Sequence, residues 1–146
     1  MQHAVSARTP VHVWIVGILA ALWNGYACYE YLMTNLKNAA FLEHVPADQI
    51  AYMNGLPAWL TAFWALGVWG GLAGGLLLLI RSRHAVLAFA LSLIGAVVGL
   101  GYQMFMTVRP ASVTAGMMGL LPWVIIVVCL ALFMYARAQA AKGVLR

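Results

Sequence analysis

One acidic side chain lies inside a long apolar stretch of this sequence and is the strongest candidate for chemistry. Glu30 belongs to an apolar run that begins at Val11, and it lies about one turn before that run ends. A carboxyl group is costly inside a bilayer and indicates a functional site, typically for proton coupling or for binding a cation. The alternative is that Glu30 reaches interfacial water or pairs with Lys37 or Arg109.

Two amides and several aromatic residues extend this candidate site. Asn24 and Gln103 also fall inside apolar runs, where an amide needs a partner on another helix, a bound water or a polar substrate. Aromatic residues predicted at a similar depth would form the walls of a substrate site: Tyr26, Tyr102, Trp59 and Trp64. For the tryptophans, packing in the core or in an interfacial belt is the alternative interpretation.

Other kinds of catalytic chemistry lack the residues they need. The four histidines are His3, His12, His44 and His84, and none lies in the middle of an apolar run, which disfavours a transmembrane haem. Zinc-binding patterns such as HExxH and CxxC do not occur, and no combination of nucleophile and base stands out. We therefore expect no metal, no cofactor, no enzymatic activity and no nucleic-acid partner.

The composition places these residues in a membrane protein. Of 146 residues, 65% are hydrophobic and 8% are charged, and the mean hydropathy is +0.93. A soluble domain carries about 25% charged residues. At roughly 20 residues per crossing, the length predicts one transmembrane domain, 1–146, folded as an all-α, antiparallel four-helix bundle. The spans are predicted at about 11–35, 57–80, 85–107 and 113–138, with a short interfacial helix at about 46–54.

Prolines and turn residues suggest where these spans begin and bend. Pro10 and Pro57 are expected in the first turns of the first and second spans. Ser112 is a candidate cap for the fourth span. Pro122 would then lie inside that span and bend its first half.

Small residues in the second and third spans predict close packing. They recur at spacings of three and four residues, which places them on shared helical faces where another backbone can approach. The candidate packing residues are Gly67, Gly70, Gly71, Gly74, Gly75, Ser92, Gly95 and Gly99. Because only four residues connect the two spans, we expect them to be antiparallel neighbours and the tightest pair.

The distribution of basic residues predicts the orientation. Six of the eight Lys and Arg residues fall on one side: Arg8, Arg81, Arg83, Arg137, Lys142 and Arg146. The other side has only Lys37 and Arg109. The positive-inside rule therefore predicts that both termini are cytoplasmic.

Several short motifs resemble a known group of proteins. They are Trp23-Asn24-Gly25, Met33-Thr34, Leu56-Pro57-Ala58-Trp59, Gly67-Val68-Trp69-Gly70-Gly71, Arg81-Ser82-Arg83, Ser92-Leu93-Ile94-Gly95-Ala96 and Tyr102-Gln103. In these motifs the chain is similar to a family of small four-span proteobacterial inner-membrane proteins whose members are commonly labelled sugar transporters. The resemblance covers most of the chain. It implies the fold and the membrane and, more weakly, transport.

Two functional hypotheses follow. In the first, the protein is a transporter or ligand-binding protein with an outward-facing polar and aromatic vestibule, in which Glu30 acts as a titratable gate and Asn24 and Gln103 bind substrate. In the second, it is a non-catalytic accessory subunit in which the same residues join helices. Its partners would be the lipid bilayer and either a second copy or another membrane protein.

Overall fold

A computed structural model of the protein describes residues 8–146. His3 lies outside these residues. Of the described residues, 80% are helical, and four helices among them are long and apolar enough to cross a membrane. The prediction of an all-α, four-span membrane protein is therefore confirmed.

The membrane-spanning helices alternate with short helical segments. The four long helices are α1 (Val11–Asn35), α4 (Trp59–Leu79), α5 (His84–Met106) and α7 (Leu121–Ala141). The short helices are α2 (Ala39–Leu42), α3 (Ala47–Asn54) and α6 (Ala111–Thr114), and a 3-10 turn at Gly116–Leu120 leads into α7.

The fourth long helix begins later than the sequence predicted. We expected it at about residue 113, but α7 begins at Leu121. After α6, Ala115 is extended and Gly116 adopts a φ of 58°, a left-handed conformation, so the helical backbone is interrupted before the 3-10 turn. Pro122 therefore lies in the first turn of α7, where its missing N–H has no helical acceptor to lose. The predictions that Ser112 caps this helix and that Pro122 bends it are both wrong.

The long helices pack in chain order. Helix α4 lies against both α1 and α5, and α5 lies against α7. Helices α1 and α7 are linked at one end, where the His12 imidazole is hydrogen-bonded to the Tyr135 hydroxyl. A groove also lies between these two helices. The four long helices thus form a row in chain order, with a further link between α1 and α7.

The glycines of α4 are divided between its two neighbours. A Cβ atom on Gly75 would lie 2.8 Å from the Ala21 nitrogen of α1, whereas one on Gly70 would lie 3.1 Å from the Ala88 oxygen of α5. The closest approach of α4 and α5 involves Gly95, where a Cβ would lie 2.6 Å from the Gly67 nitrogen. A side chain at these positions would meet backbone atoms, which cannot rotate away. Two bare stripes thus allow α4 to pack tightly on both sides.

The two ends of the bundle differ in construction. We call one end the base, formed by Thr9, the Arg81–Arg83 turn and Val144–Arg146, and the opposite end the rim, formed by residues 36–58 and 107–120. At the base, Val144 and Leu145 are only 5% and 2% exposed. They join a buried apolar cluster that also contains Val13, Leu78, Ala85, Phe89 and Ala136.

Candidate functional site

Glu30 lies on the half of α1 nearer the rim, beside aromatic side chains. The Tyr26 hydroxyl, one turn earlier on the same helix, lies close to the Glu30 carboxylate. Tyr26 and Tyr29 are 63% and 49% exposed, so this part of α1 faces away from the bundle. Among residues 8–146, no ion pair joins Glu30 to Lys37 or Arg109.

A short rim helix adds a third aromatic ring beside these residues. The ring centroids of Tyr26 and Tyr29 are 6.3 Å apart, and that of Phe41 is 5.9 Å from Tyr29 in an edge-on arrangement. Phe41 is held there because the Asn38 side chain caps α2 and accepts a hydrogen bond from the Phe41 N–H at 3.0 Å. We call Tyr26, Tyr29, Glu30 and Phe41 the Glu30 cluster.

Phe41 was not among the residues that the sequence suggested. The signal that could have identified it is Asn38, a favoured capping residue three positions earlier, after a helix that ends near Asn35. Such a cap returns the chain toward the end of α1. The distance between the rings still depends on the backbone of the turn at Lys37, which has a φ of 53°.

Asn24 lies in a different place, between α1 and α4. It is 6% exposed, and its side-chain N–H donates to the Ala20 oxygen at 2.9 Å on its own helix. The amide fills the space left by Gly71, where an added Cβ would lie 2.0 Å from the Asn24 oxygen. One turn later, the Cys28 thiol donates to the Val68 oxygen at 3.3 Å. Asn24 and Cys28 therefore lie in the contact between these two helices.

Gln103 belongs to a third location, near the rim end of α5. Its side-chain N–H donates to the Gly99 oxygen at 3.3 Å. Its main-chain oxygen accepts a hydrogen bond from the Thr107 hydroxyl at 2.6 Å. That hydroxyl is also 2.7 Å from the Tyr52 hydroxyl, so these side chains fasten the rim helix α3 to the end of α5.

The remaining candidate aromatic residues form two edge-on groups between helices. Trp59 of α4 packs against Tyr102 of α5, with ring centroids 5.1 Å apart. Trp64 of α4 packs against Tyr31 of α1 at 5.0 Å, and Trp69 joins the same tyrosine at 6.3 Å. Edge-on contacts at these distances stabilise the packing beyond the area that they bury.

The predicted site residues therefore do not converge on one site but lie in separate groups. Glu30 is grouped with Tyr26, and Trp59 with Tyr102. The hydrogen bonds of Asn24 and Gln103 go to carbonyl groups one turn back on their own helices. Of these groups, the Glu30 cluster alone combines a carboxylate with several aromatic rings. A carboxylate beside aromatic rings is suited to a cation, which is attracted both by the charge and by the ring faces.

Two clefts lie away from the Glu30 cluster. One, of about 630 Å³, is at the base and is lined by Arg83, His84, Val86, Leu87, Ala90 and Arg146. The other, of about 330 Å³, is the groove between α1 and α7, lined by Val16, Leu19, Ala20, Trp23, Val128 and Leu132. Within residues 8–146, no group of three His, Cys, Asp or Glu side chains is placed to hold a metal ion.

No family model, no curated protein and no solved structure matches the chain. The fold defines the class as a multi-pass membrane protein with four apolar helices. The resemblance to small four-span inner-membrane proteins stays a prediction based on the sequence motifs.

Proposed function

We propose that this protein is a bacterial inner-membrane protein that binds a small cationic molecule at the Glu30 cluster. The observation that carries the proposal is the Glu30 carboxylate beside the Tyr26 hydroxyl on an exposed part of α1. The ring of Tyr26 is followed by that of Tyr29, which in turn packs against Phe41 of α2. A carboxylate is costly inside a transmembrane helix, and a bound cation would offset that cost.

Charge and shape both support a cation with an apolar surface. The rings present their electron-rich faces and their edges within about 6 Å of one another. Amines and quaternary ammonium groups combine a positive charge with methyl or methylene groups, which such rings accommodate. A neutral sugar would need several hydrogen-bonding groups, and the candidate amides Asn24 and Gln103 already bond to their own helices.

The proposal concerns binding and not passage through the bundle. A transport pathway would need polar groups along the interior between α1, α4 and α5. Asn24 is instead packed against Gly71, and Ser92 of α5 donates to the Gly67 oxygen of α4 at 2.6 Å. These side chains close the space between the helices.

The test uses a charged ligand and its neutral isostere. Choline and 3,3-dimethylbutanol would each be titrated into the purified protein in maltoside micelles and followed by calorimetry. We expect the protein to bind choline but not the alcohol. Glu30→Gln should weaken choline binding roughly tenfold, which corresponds to about 1.4 kcal/mol. Glu43→Gln, which neutralises an exposed acid at the same end, should have no effect.

Equal affinity of Glu30→Gln and the unmodified chain for choline would contradict the proposal. Equal affinity of the unmodified chain for choline and for the neutral alcohol would also contradict it. Tyr29→Leu provides a second measurement, because loss of one ring should weaken binding about two- to fivefold while the carboxylate remains. Unchanged binding in that variant would remove the aromatic part of the site.

A second candidate role, that of a non-catalytic accessory subunit, is favoured by the exposure of the last helix. Only 6% of the most apolar 18 residues of this span is buried, and a groove lies between α7 and α1. Ala20, which has a small side chain, lines this groove together with Leu19 and Leu132. We propose as its occupant an apolar transmembrane helix of a larger membrane protein, with one large aliphatic side chain seated over Ala20.

Photo-cross-linking in native membranes tests this second role. A photoreactive amino acid at Leu19, in the groove, is compared with one at Ile94, an exposed position on α5. Cross-links from position 19 alone to an apolar span of another protein, mapped by mass spectrometry, would support it. Cross-links to a second copy, or only to lipid at both positions, would contradict it.

A further inference from the structure

The cleft at the base has the chemistry of a lipid-binding site. The part of the cleft at the end of the bundle contains three basic residues, Arg83, His84 and Arg146. The part nearer the middle of the bundle contains Val86, Leu87 and Ala90 on the first turns of α5. The volume of about 630 Å³ exceeds that of a phosphate group alone. The order of the two parts, basic at the end of the bundle and apolar toward its middle, matches a phospholipid.

Main-chain hydrogen bonds hold the basic residues together. The Arg83 N–H donates to the Arg146 oxygen at 2.9 Å, and the Arg146 N–H donates to the Arg81 oxygen at 2.8 Å. Gly143, with a φ of 74°, allows the chain to turn back after α7 so that this pairing forms. These main-chain bonds hold the backbones of Arg83 and Arg146 next to each other, whichever conformations their side chains adopt.

The cation at Arg81 is already used, whereas those in the cleft are available. The Arg81 guanidinium donates to the Thr9 hydroxyl at 2.6 Å. Within residues 8–146, the side chains of Arg83 and Arg146 make no such bond, and both residues are exposed. The three acids of the chain, Glu30, Glu43 and Asp48, all lie toward the rim. Within residues 8–146, no acidic side chain therefore lies at the base to offset these positive charges.

We propose that an anionic phospholipid binds in this cleft, with its phosphate between Arg83 and Arg146 and an acyl chain along Leu87 and Ala90. Clusters of basic residues beside a membrane attract anionic headgroups, and each Lys or Arg strengthens the attraction. The apolar wall adds the burial of methylene groups, which a free phosphate ion cannot provide. The site lies at the end opposite the Glu30 cluster and is independent of it.

Native mass spectrometry can measure the binding directly. The protein, delipidated in a neutral detergent, is titrated with dioleoyl phosphatidylglycerol and, separately, with dioleoyl phosphatidylcholine. We expect the anionic lipid to bind more tightly. The double variant Arg83→Gln/Arg146→Gln should weaken its binding by about tenfold or more, because two cations are removed. The control, Arg137→Gln/Lys142→Gln, removes two exposed cations outside the cleft and should change the affinity less than about threefold.

Two further measurements separate a lipid from its headgroup and binding from folding. Glycerol phosphate or inorganic phosphate at millimolar concentration should not displace the lipid, and displacement by either would overturn the proposal in favour of a phosphate site. The double variant keeps the main-chain bonds at the base, so its unfolding temperature in detergent should match that of the unmodified chain. Equal loss of lipid in the two double variants, or equal binding of the two lipids, would also overturn the proposal.

Discussion

Individual glycines determine how closely the central helices approach. The Gly95 side of α5 meets the Gly67 nitrogen and the Phe63 oxygen of α4, and an added Cβ would lie 2.6 Å from each. Real Cβ atoms do not approach backbone so closely, so a larger residue would push the two helices apart. Gly101, on the same helix, has no such neighbour within 4 Å.

This contrast predicts opposite behaviour for two chemically identical substitutions. Gly95→Ala should destabilise the protein by about 1–3 kcal/mol, because the overpacked methyl group separates α4 from α5. Gly101→Ala should be neutral or slightly stabilising, because alanine favours the helix and meets open space. Reversible unfolding in mixed detergent and SDS micelles measures both. Equal stability of the two variants would show that α4 and α5 are not in backbone contact.

The identities of polar residues were readable from the sequence, but their partners were not. The sequence alone shows that Glu30, Asn24 and Gln103 are polar residues inside apolar runs. Whether they converge depends on rotations of α1 and α5 about their axes, which spacing within one helix does not determine. Each amide bonds to the carbonyl group four residues earlier. Because the two amides bond within their own helices, they do not join Glu30, which lies beside Tyr26 instead.

At the scale of helices, hydropathy predicted the four spans well but located one boundary poorly. The region 110–122 contains Pro110, Gly116, Gly119 and Pro122, and each of these residues is compatible with either a bent helix or a late start. The left-handed backbone at Gly116 decides for the late start. The small residues of α4 also predicted close packing, but their spacing did not reveal that Gly71 and Gly75 face α1 while Gly70 faces α5.

The segment after α7 forms part of the packed bundle. Leu145 is 2% exposed and belongs to the same cluster as Val13 and Phe89. Leu145→Ala should therefore destabilise the protein by about 2 kcal/mol or more, because it leaves a cavity at the base. Lys142→Ala, three residues earlier on an exposed position, should change the stability by less than about 0.5 kcal/mol.

Thermal unfolding in detergent compares these two variants. An equal unfolding temperature for Leu145→Ala and Lys142→Ala would contradict the packing of the segment described here. A lower temperature for Leu145→Ala alone would support it, since both substitutions shorten a side chain in the same short stretch.

For the whole molecule, the two ends differ in charge, and this asymmetry predicts an orientation. The base carries most of the basic residues, including Arg81, Arg83 and Arg146, and the acids lie toward the rim. We therefore propose that the base faces the cytoplasm. Cys28 and Cys129 are both buried, and replacing both by alanine gives a cysteine-free background for labelling.

Cysteine labelling in intact bacteria tests this orientation. In the cysteine-free background, Ala40→Cys at the rim should react with a membrane-impermeant maleimide, and Ala141→Cys near the base should not. Both should react after the cells are lysed, which controls for exposure of each position. The reverse pattern in intact cells would contradict the proposed orientation.

The pairing of Arg146 with Arg81 and Arg83 has a consequence for biosynthesis. The ribosome makes residues 81–83 long before it makes residues 144–146, yet the structure joins them by two main-chain hydrogen bonds. The first three spans can enter the bilayer and associate while translation continues. The base is therefore completed only after residues 144–146 have been made, later than the point at which the first three spans can begin to associate.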